Sequence, residues 1–165
     1  SKSPFPSPRG SCQSSRASSD RESILSEDIR RIRIAAALLT DARQRLLLVR
    51  KRGTAWFMQP GGKIEPGEQP LDALARELRE ELGLGVSPEA ARHCGRFTAP
   101  AANESGFIVE AELYALPLDG EPQPAAEIAE IAWLDPGTAS SLPLAPLTRD
   151  HALPLWHSLL TETSR

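Results

Sequence analysis

The sequence predicts an α/β domain in which one sheet is covered by helices on both faces. Three observations predict it: apolar runs of strand length recur along the chain, one leucine-periodic helix interrupts them, and a second helix signal closes the sequence. Ile32 to Leu39 is the first strand candidate and Arg45 to Arg50 the second, with Thr40–Gln44 as a hairpin-like turn in which Asp41 is a favoured turn residue. Trp56-Phe57-Met58 is a short third apolar piece, stopped by Pro60-Gly61-Gly62. Asp72 to Leu82 is built of good helix formers, and Gly83 and Gly85 supply its C-terminal stop. Further strands are expected at Cys94 to Ala99, Phe107 to Leu116 and Ile128 to Leu134, the last two separated by Pro117, Gly120, Pro122 and Pro124. Leu144 to Thr148 reads as the entry to the closing helix, with Thr148 as N-cap, Asp150 in the first turn and Pro154 in the first turns or at a kink. No internal repeat is visible.

With 165 residues, 40 % of them hydrophobic and 25 % charged, the chain has the composition of one globular domain, expected over 28–163. Residues 1–27, rich in Ser with several Pro and Arg, hold too few apolar groups to offset ordering entropy and read as a flexible tail. A transit peptide is the competing reading, opposed by Asp20, Glu22 and the missing amphipathic pattern. A net charge of −3 gives no basic field for a nucleic-acid polymer, although an anionic small molecule is accommodated if metal ions stand between it and the protein. Two cysteines, Cys12 and Cys94, make neither a disulfide framework nor a zinc spacing, which points to a reducing compartment. No apolar run reaches the roughly 18–20 residues of a membrane span, and no signal-peptide core is present, so the expected location is cytoplasmic.

The stretch at 61–84, GGKIEPGEQPLDALARELREELGL, carries the chemistry. At about 100° per residue, Glu77, Glu80 and Glu81 share one helix face, and Leu71, Leu74, Leu78 and Leu82 lie roughly opposite. The leucines would pack on the sheet while three carboxylates project outward together. Such a cluster suits hard divalent cations; the plainer reading is a solvated acidic face. The Gly61-Gly62 turn and the Pro66-Gly67-Glu68 loop tip the balance, because glycines let backbone groups approach a metal or phosphate closely.

These residues fill every defined position of the Nudix box, G-x5-E-x7-R-E-U-x-E-E-x-G-U with U aliphatic: Gly62, Glu68, Arg76, Glu77, Leu78, Glu80, Glu81, Gly83 and Leu84. At average residue frequencies a chance match is on the order of 10⁻⁷. The chain therefore resembles the Nudix hydrolases, which implies an α/β/α sandwich with a mixed β-sheet between helices. The resemblance further implies Mg²⁺ (Mn²⁺ as a substitute) held by Glu77, Glu80 and Glu81 with the Gly61 carbonyl. Arg76 would pair with Glu68 to hold the loop, and Glu77, Glu81 or a later acid would activate the water.

Outside the box, Arg50 or Arg52 is a candidate phosphate contact against a solvated strand end. Trp56 and Phe57 read first as core, with stacking on a base as the alternative. Gly62 and Glu104 are candidate substrate contacts, and Glu127, near Glu130, is a candidate further metal ligand. His93, His151 and His157 read as surface or helix-end residues, and Cys94 as a small core residue. The leading functional expectation is a MutT-like (d)NTP pyrophosphatase acting as monomer or homodimer on a small-molecule nucleotide. An ADP-ribose or sugar-nucleotide pyrophosphatase is the alternative, with Pro100 as its weak pointer. Non-catalytic nucleotide binding is the reading from another class, and a Nudix-type isomerase lacks its Cys–Glu pair.

Overall fold

The computed structural model describes residues 30–118, 120–137 and 141–163, so the predicted tail lies outside the described residues. Seven strands form one mixed sheet: β1 (Arg30–Thr40), β2 (Leu46–Lys51), β3 (Phe57–Met58), β4 (Gly61–Lys63), β5 (Arg92–Pro100), β6 (Phe107–Pro117) and β7 (Ile128–Leu134). Their order is β3-β2-β1-β6-β5, with β4 paired antiparallel to β1 and β7 antiparallel to β2. Helix α1 spans Pro70–Leu82, and helix α2 (Leu153–Thr163) continues a π-helical turn at Thr148–Ala152. Among the described residues no helix is long and apolar enough to cross a membrane.

Strand alternation sorts the apolar side chains into two cores. Ala35, Ala37, Leu39, Leu47 and Val49 turn to one face and meet Ala73, Leu74, Leu78 and Leu82 of α1. Ala36, Leu38, Leu46 and Leu48 turn to the other and meet Leu147, Ala152 and Trp156 of the C-terminal helical segment. Both faces are therefore covered, as the strand–helix pattern predicts. The β1–β2 turn is held by Asp41, whose Oδ1 accepts the backbone N–H groups of Arg43 (3.0 Å) and Arg45 (2.9 Å).

Three local expectations change. β3 stops at Met58 as expected, but Gly61-Gly62 is not a turn; with Lys63 it forms β4, aligned as Ile34↔Lys63, Ala35↔Gly62 and Ala36↔Gly61. A Cβ on Gly61 would come within 2.2 Å of the Ala35 carbonyl oxygen, so only glycine lets this segment approach β1. Helix α1 begins at Pro70, which suits a position where the missing N–H is harmless. Thr148 is not an N-cap: it lies inside the π-turn, fully buried, and its hydroxyl is turned to Gln59. Gly83 closes α1 as expected, in the left-handed conformation (φ 68°).

Candidate active site

The site is built where β4 crosses the acidic side of α1. Glu81 follows Leu78 by three positions and adjoins Leu82, so it falls at the border of the leucine stripe and is drawn inward. It is 2 % exposed, and its Oε1 accepts the Gly61 backbone N–H at 3.3 Å. The expected outward fan of three carboxylates is thus not what forms: Glu81 is buried, Glu77 is partly buried and Glu80 is exposed. Gly62 lies against Glu77, where an added Cβ would meet the carboxylate at 2.3 Å.

Burial pushes the Glu81 carboxyl up to about 7, against the pull of Lys51 and with a further push from Glu77. Burial likewise raises Glu77, countered by Arg76 and reinforced by Glu80. Lys51 Nζ stands 3.8 Å from Glu81 Oε2 and 3.2 Å from Glu127 Oε1. Glu127 arrives on the loop after β6, which is fixed by backbone bonds from Ala125 N–H to Glu81 O (2.9 Å) and from Arg52 N–H to Glu127 O (2.8 Å).

Arg76 and Glu68 make the expected pair as a two-pronged bond, Nε to Oε2 at 3.0 Å and Nη2 to Oε1 at 2.9 Å. The same guanidinium donates to the Lys63 carbonyl (3.0 Å) and to Glu77 Oε2 (3.2 Å), so one side chain ties loop, strand and helix together. Hydrogen bonding to Arg76 pulls the Glu68 carboxyl down to about 2.

A cleft of about 450 Å³ opens over these residues, lined by Lys51, Arg52, Gly62, Lys63, Glu77 and Glu127 among others. It adjoins a second cavity of about 140 Å³, walled chiefly by Ile32, Ile34, Met58, Pro100, Val109 and Leu147. Lys51, Gly62, Lys63 and Glu104 line both, which makes the two a continuous surface. Glu104 faces Lys63 at 4.0 Å.

Other candidates fall elsewhere. Arg50 is engaged by Glu130 (2.7 Å) and the Thr54 carbonyl (2.9 Å), and lines neither cavity. Phe57 is core, whereas Trp56, just before β3, is 38 % exposed and is not. Cys94 is only partly buried, next to an irregularity in the β5–β6 register between His93 and Gly95. His93 bonds Glu112 at 2.7 Å, His151 stacks on Phe97, and His157 is exposed. Lys51 was not among the residues expected at the site, yet its parity with Leu47 and Val49 already places it on the α1 face.

The donor set fits a hard cation in one respect and is incomplete in another. Glu81 Oε2 is fully buried without a hydrogen-bond partner, an oxygen that calls for a positive charge. However, no three such ligands already converge among the described residues; Lys51 holds the space between Glu81 and Glu127. Binding a cation would require Lys51 to turn away or share the site.

A fold with two helices flanking this sheet and a complete acidic box at its centre defines the class of protein. A family model described as the NUDIX domain matches residues 30–155, and the chain belongs to the Nudix family. It is similar to the uncharacterized Nudix hydrolase YvcI of Bacillus subtilis (strain 168), 30 % identical over 105 residues, 62 % of this chain and 65 % of that one. It is 37 % identical over 87 residues to the CTP pyrophosphohydrolase of Escherichia coli (strain K12), covering 52 % of this chain and 60 % of the other. The chain thus spans just under two thirds of the length of these curated relatives. Among solved structures, that of the E. coli ORF135 protein superposes with a TM-score of 0.59 at 26 % identity, covering 82 % and 92 % of the two chains.

Proposed function

We propose that this chain is a hydrolase dependent on Mg²⁺ (or Mn²⁺) that cleaves the diphosphate linkage of a nucleoside triphosphate, releasing a nucleoside monophosphate and pyrophosphate. The observation that carries it is Glu81: a buried carboxylate with one oxygen free of hydrogen bonds, held by the Gly61 N–H and 3.8 Å from Lys51, which lines the cleft together with Arg52 and Glu77. Glu77, Glu80, Glu81 and Glu127, with the Gly61 carbonyl, would hold the cation. When bound, it would neutralise the phosphate oxygens and lower the pKa of a water beside them.

The residues of the chain do the rest. Arg52, Lys51 and Lys63 attract the phosphates, while Arg76 and Glu68 hold the β4–α1 loop in place. As water oxygen bonds to phosphorus and the bridging P–O bond breaks, the water's proton passes to a carboxylate of the cluster. Glu77, Glu81 and Glu127 are the carboxylates placed for this role. The apolar cavity beside the cleft is suited to a base, and the likeness to a CTP pyrophosphohydrolase supports a triphosphate substrate. Pro100 in the cavity wall supports a second reading, an ADP-ribose or sugar-nucleotide pyrophosphatase.

The test is hydrolysis of (d)NTPs, ADP-ribose and sugar nucleotides with Mg²⁺, against Glu81→Gln. Cleavage of triphosphates that falls at least a hundredfold in the variant is expected. Preferential cleavage of ADP-ribose selects the second reading. Nucleotide-induced thermal stabilisation without any cleavage replaces both with a binding module.

A further inference from the structure

Gln59 joins β3 to β4, and at 5 % exposure it is among the few buried polar side chains of the molecule. Its Oε1 accepts a 2.6 Å hydrogen bond from the hydroxyl of Thr148, which is itself fully buried in the π-turn before α2. A threonine hydroxyl has one proton to give, and here it goes to the amide oxygen. The amide nitrogen on the other side of the group has no partner among the described residues, and it is not among the sealed atoms that lack one. Gln59 lines the 140 Å³ cavity, and with Oε1 taken by Thr148 its amide nitrogen is the polar group left to serve that space. Most of the surrounding wall is aliphatic, and the polar residues that also line it, Lys51, Lys63, Asn103 and Glu104, make no hydrogen bond with this amide.

We propose that Gln59 is a specificity-determining residue: its amide N–H donates to a ring carbonyl of the substrate's base. Thr148 is its positioning residue, fixing which end of the amide faces the cavity. The inference rests on the nucleoside-triphosphate reading above and deepens it. Geometry connects the two: Lys51, Gly62 and Lys63 line both this cavity and the phosphate cleft, so one molecule can fill both. A donor in an apolar pocket favours a ligand that brings an acceptor and penalises one that leaves the donor unpaired or brings an amino group to meet it.

The experiment compares the preferred nucleoside triphosphate with its analogue carrying hydrogen in place of the ring carbonyl. Wild type should favour the parent by roughly tenfold in kcat/KM, the worth of one neutral hydrogen bond. Gln59→Met should erase that preference, with the loss appearing in KM rather than in kcat. Gln59→Glu, which offers acceptors only, should turn the preference toward a base bearing an amino group. Thr148→Val should weaken discrimination by freeing the amide to rotate. Because Gln59→Met strands the buried hydroxyl, the double variant Gln59→Met/Thr148→Val restores an apolar pair and keeps the test available if the single variant does not fold. A Gln59→Met or double variant that keeps the wild-type ratio between parent and analogue overturns the proposal, as does a loss confined to kcat. Failure of the wild type to cleave any nucleoside triphosphate instead overturns the reading beneath it.

Discussion

Glu81 is buried with its second oxygen free of hydrogen bonds and only a 3.8 Å ion pair to Lys51, so keeping it ionised works against the fold. Its folded-state pKa of about 7 lies above the ordinary 4.5, and the native state therefore binds more protons than the unfolded state between those values. Stability contributed by the protonated form is fully present below about pH 4.5, falls as pH rises toward 7, and is gone above it. The shift corresponds to roughly 3 kcal/mol. Glu81→Gln should consequently raise metal-free stability at pH 8 by an amount of that order and leave it nearly unchanged at pH 4. Urea unfolding in EDTA at the two pH values measures this, and equal effects at both would refute it. The replacement proposed to disable hydrolysis should thus stabilise the protein. The acid itself was legible in the box; its burial was not, since helical periodicity places it only at the edge of the leucine stripe. Lys51 was legible by strand parity with Val49, whereas the Gln59–Thr148 bond joins residues 89 apart and leaves no local signal.

At the scale of elements, β4 shows why two adjacent glycines are not equivalent. A Cβ on Gly61, at φ 148°, would press on backbone: the Ala35 oxygen at 2.2 Å and Ala36 Cα at 2.6 Å. A Cβ on Gly62 would press on the end of a side chain, Glu77, which can swing aside. Gly61→Ala should therefore destabilise the fold by more than about 3 kcal/mol, through lost β1–β4 pairing and strain. Gly62→Ala should unfold little more easily than wild type, within about 1 kcal/mol, yet lose most hydrolysis by displacing Glu77. Paired thermal melts and turnover assays separate the two, and similar melting temperatures for both variants would contradict the assignment. The strands with long apolar runs and the helix with its caps were readable because each carries its own period and stop. The three-residue β4 carries neither, and Pro60-Gly61-Gly62 looks like a turn until β1 is seen beside it. Thr148 misled for a related reason: a threonine before a helix resembles a cap unless its distant partner is known.

Across the whole molecule, the two cores share the sheet but not their helices. Trp156 belongs to the core opposite α1, and Leu78 to the core beneath the acidic cluster. Trp156→Ala should cost roughly 3–5 kcal/mol in urea unfolding while the folded fraction keeps its turnover. Leu78→Ala should cost roughly 2–5 kcal/mol and also lower turnover, because it loosens the helix that carries Glu77 and Glu81. Equal turnover per folded molecule in both variants would show that the faces are not independent in this way. The layered arrangement was legible from the order of strands and helices; the division of roles proposed for the layers was not.

β4 is only three residues long, yet the strand it lies on is buried on both sides and cannot leave without dissolving both cores. A segment so short would ordinarily fray on the timescale of loop motion. Here the amide of Gly61, bonded to the Glu81 carboxylate, should trade its hydrogen for solvent deuterium only when the entire domain opens. Its protection would then equal that of the slowest amides in β1, and the backbone at the proposed reaction centre would be among the last parts of the protein to move.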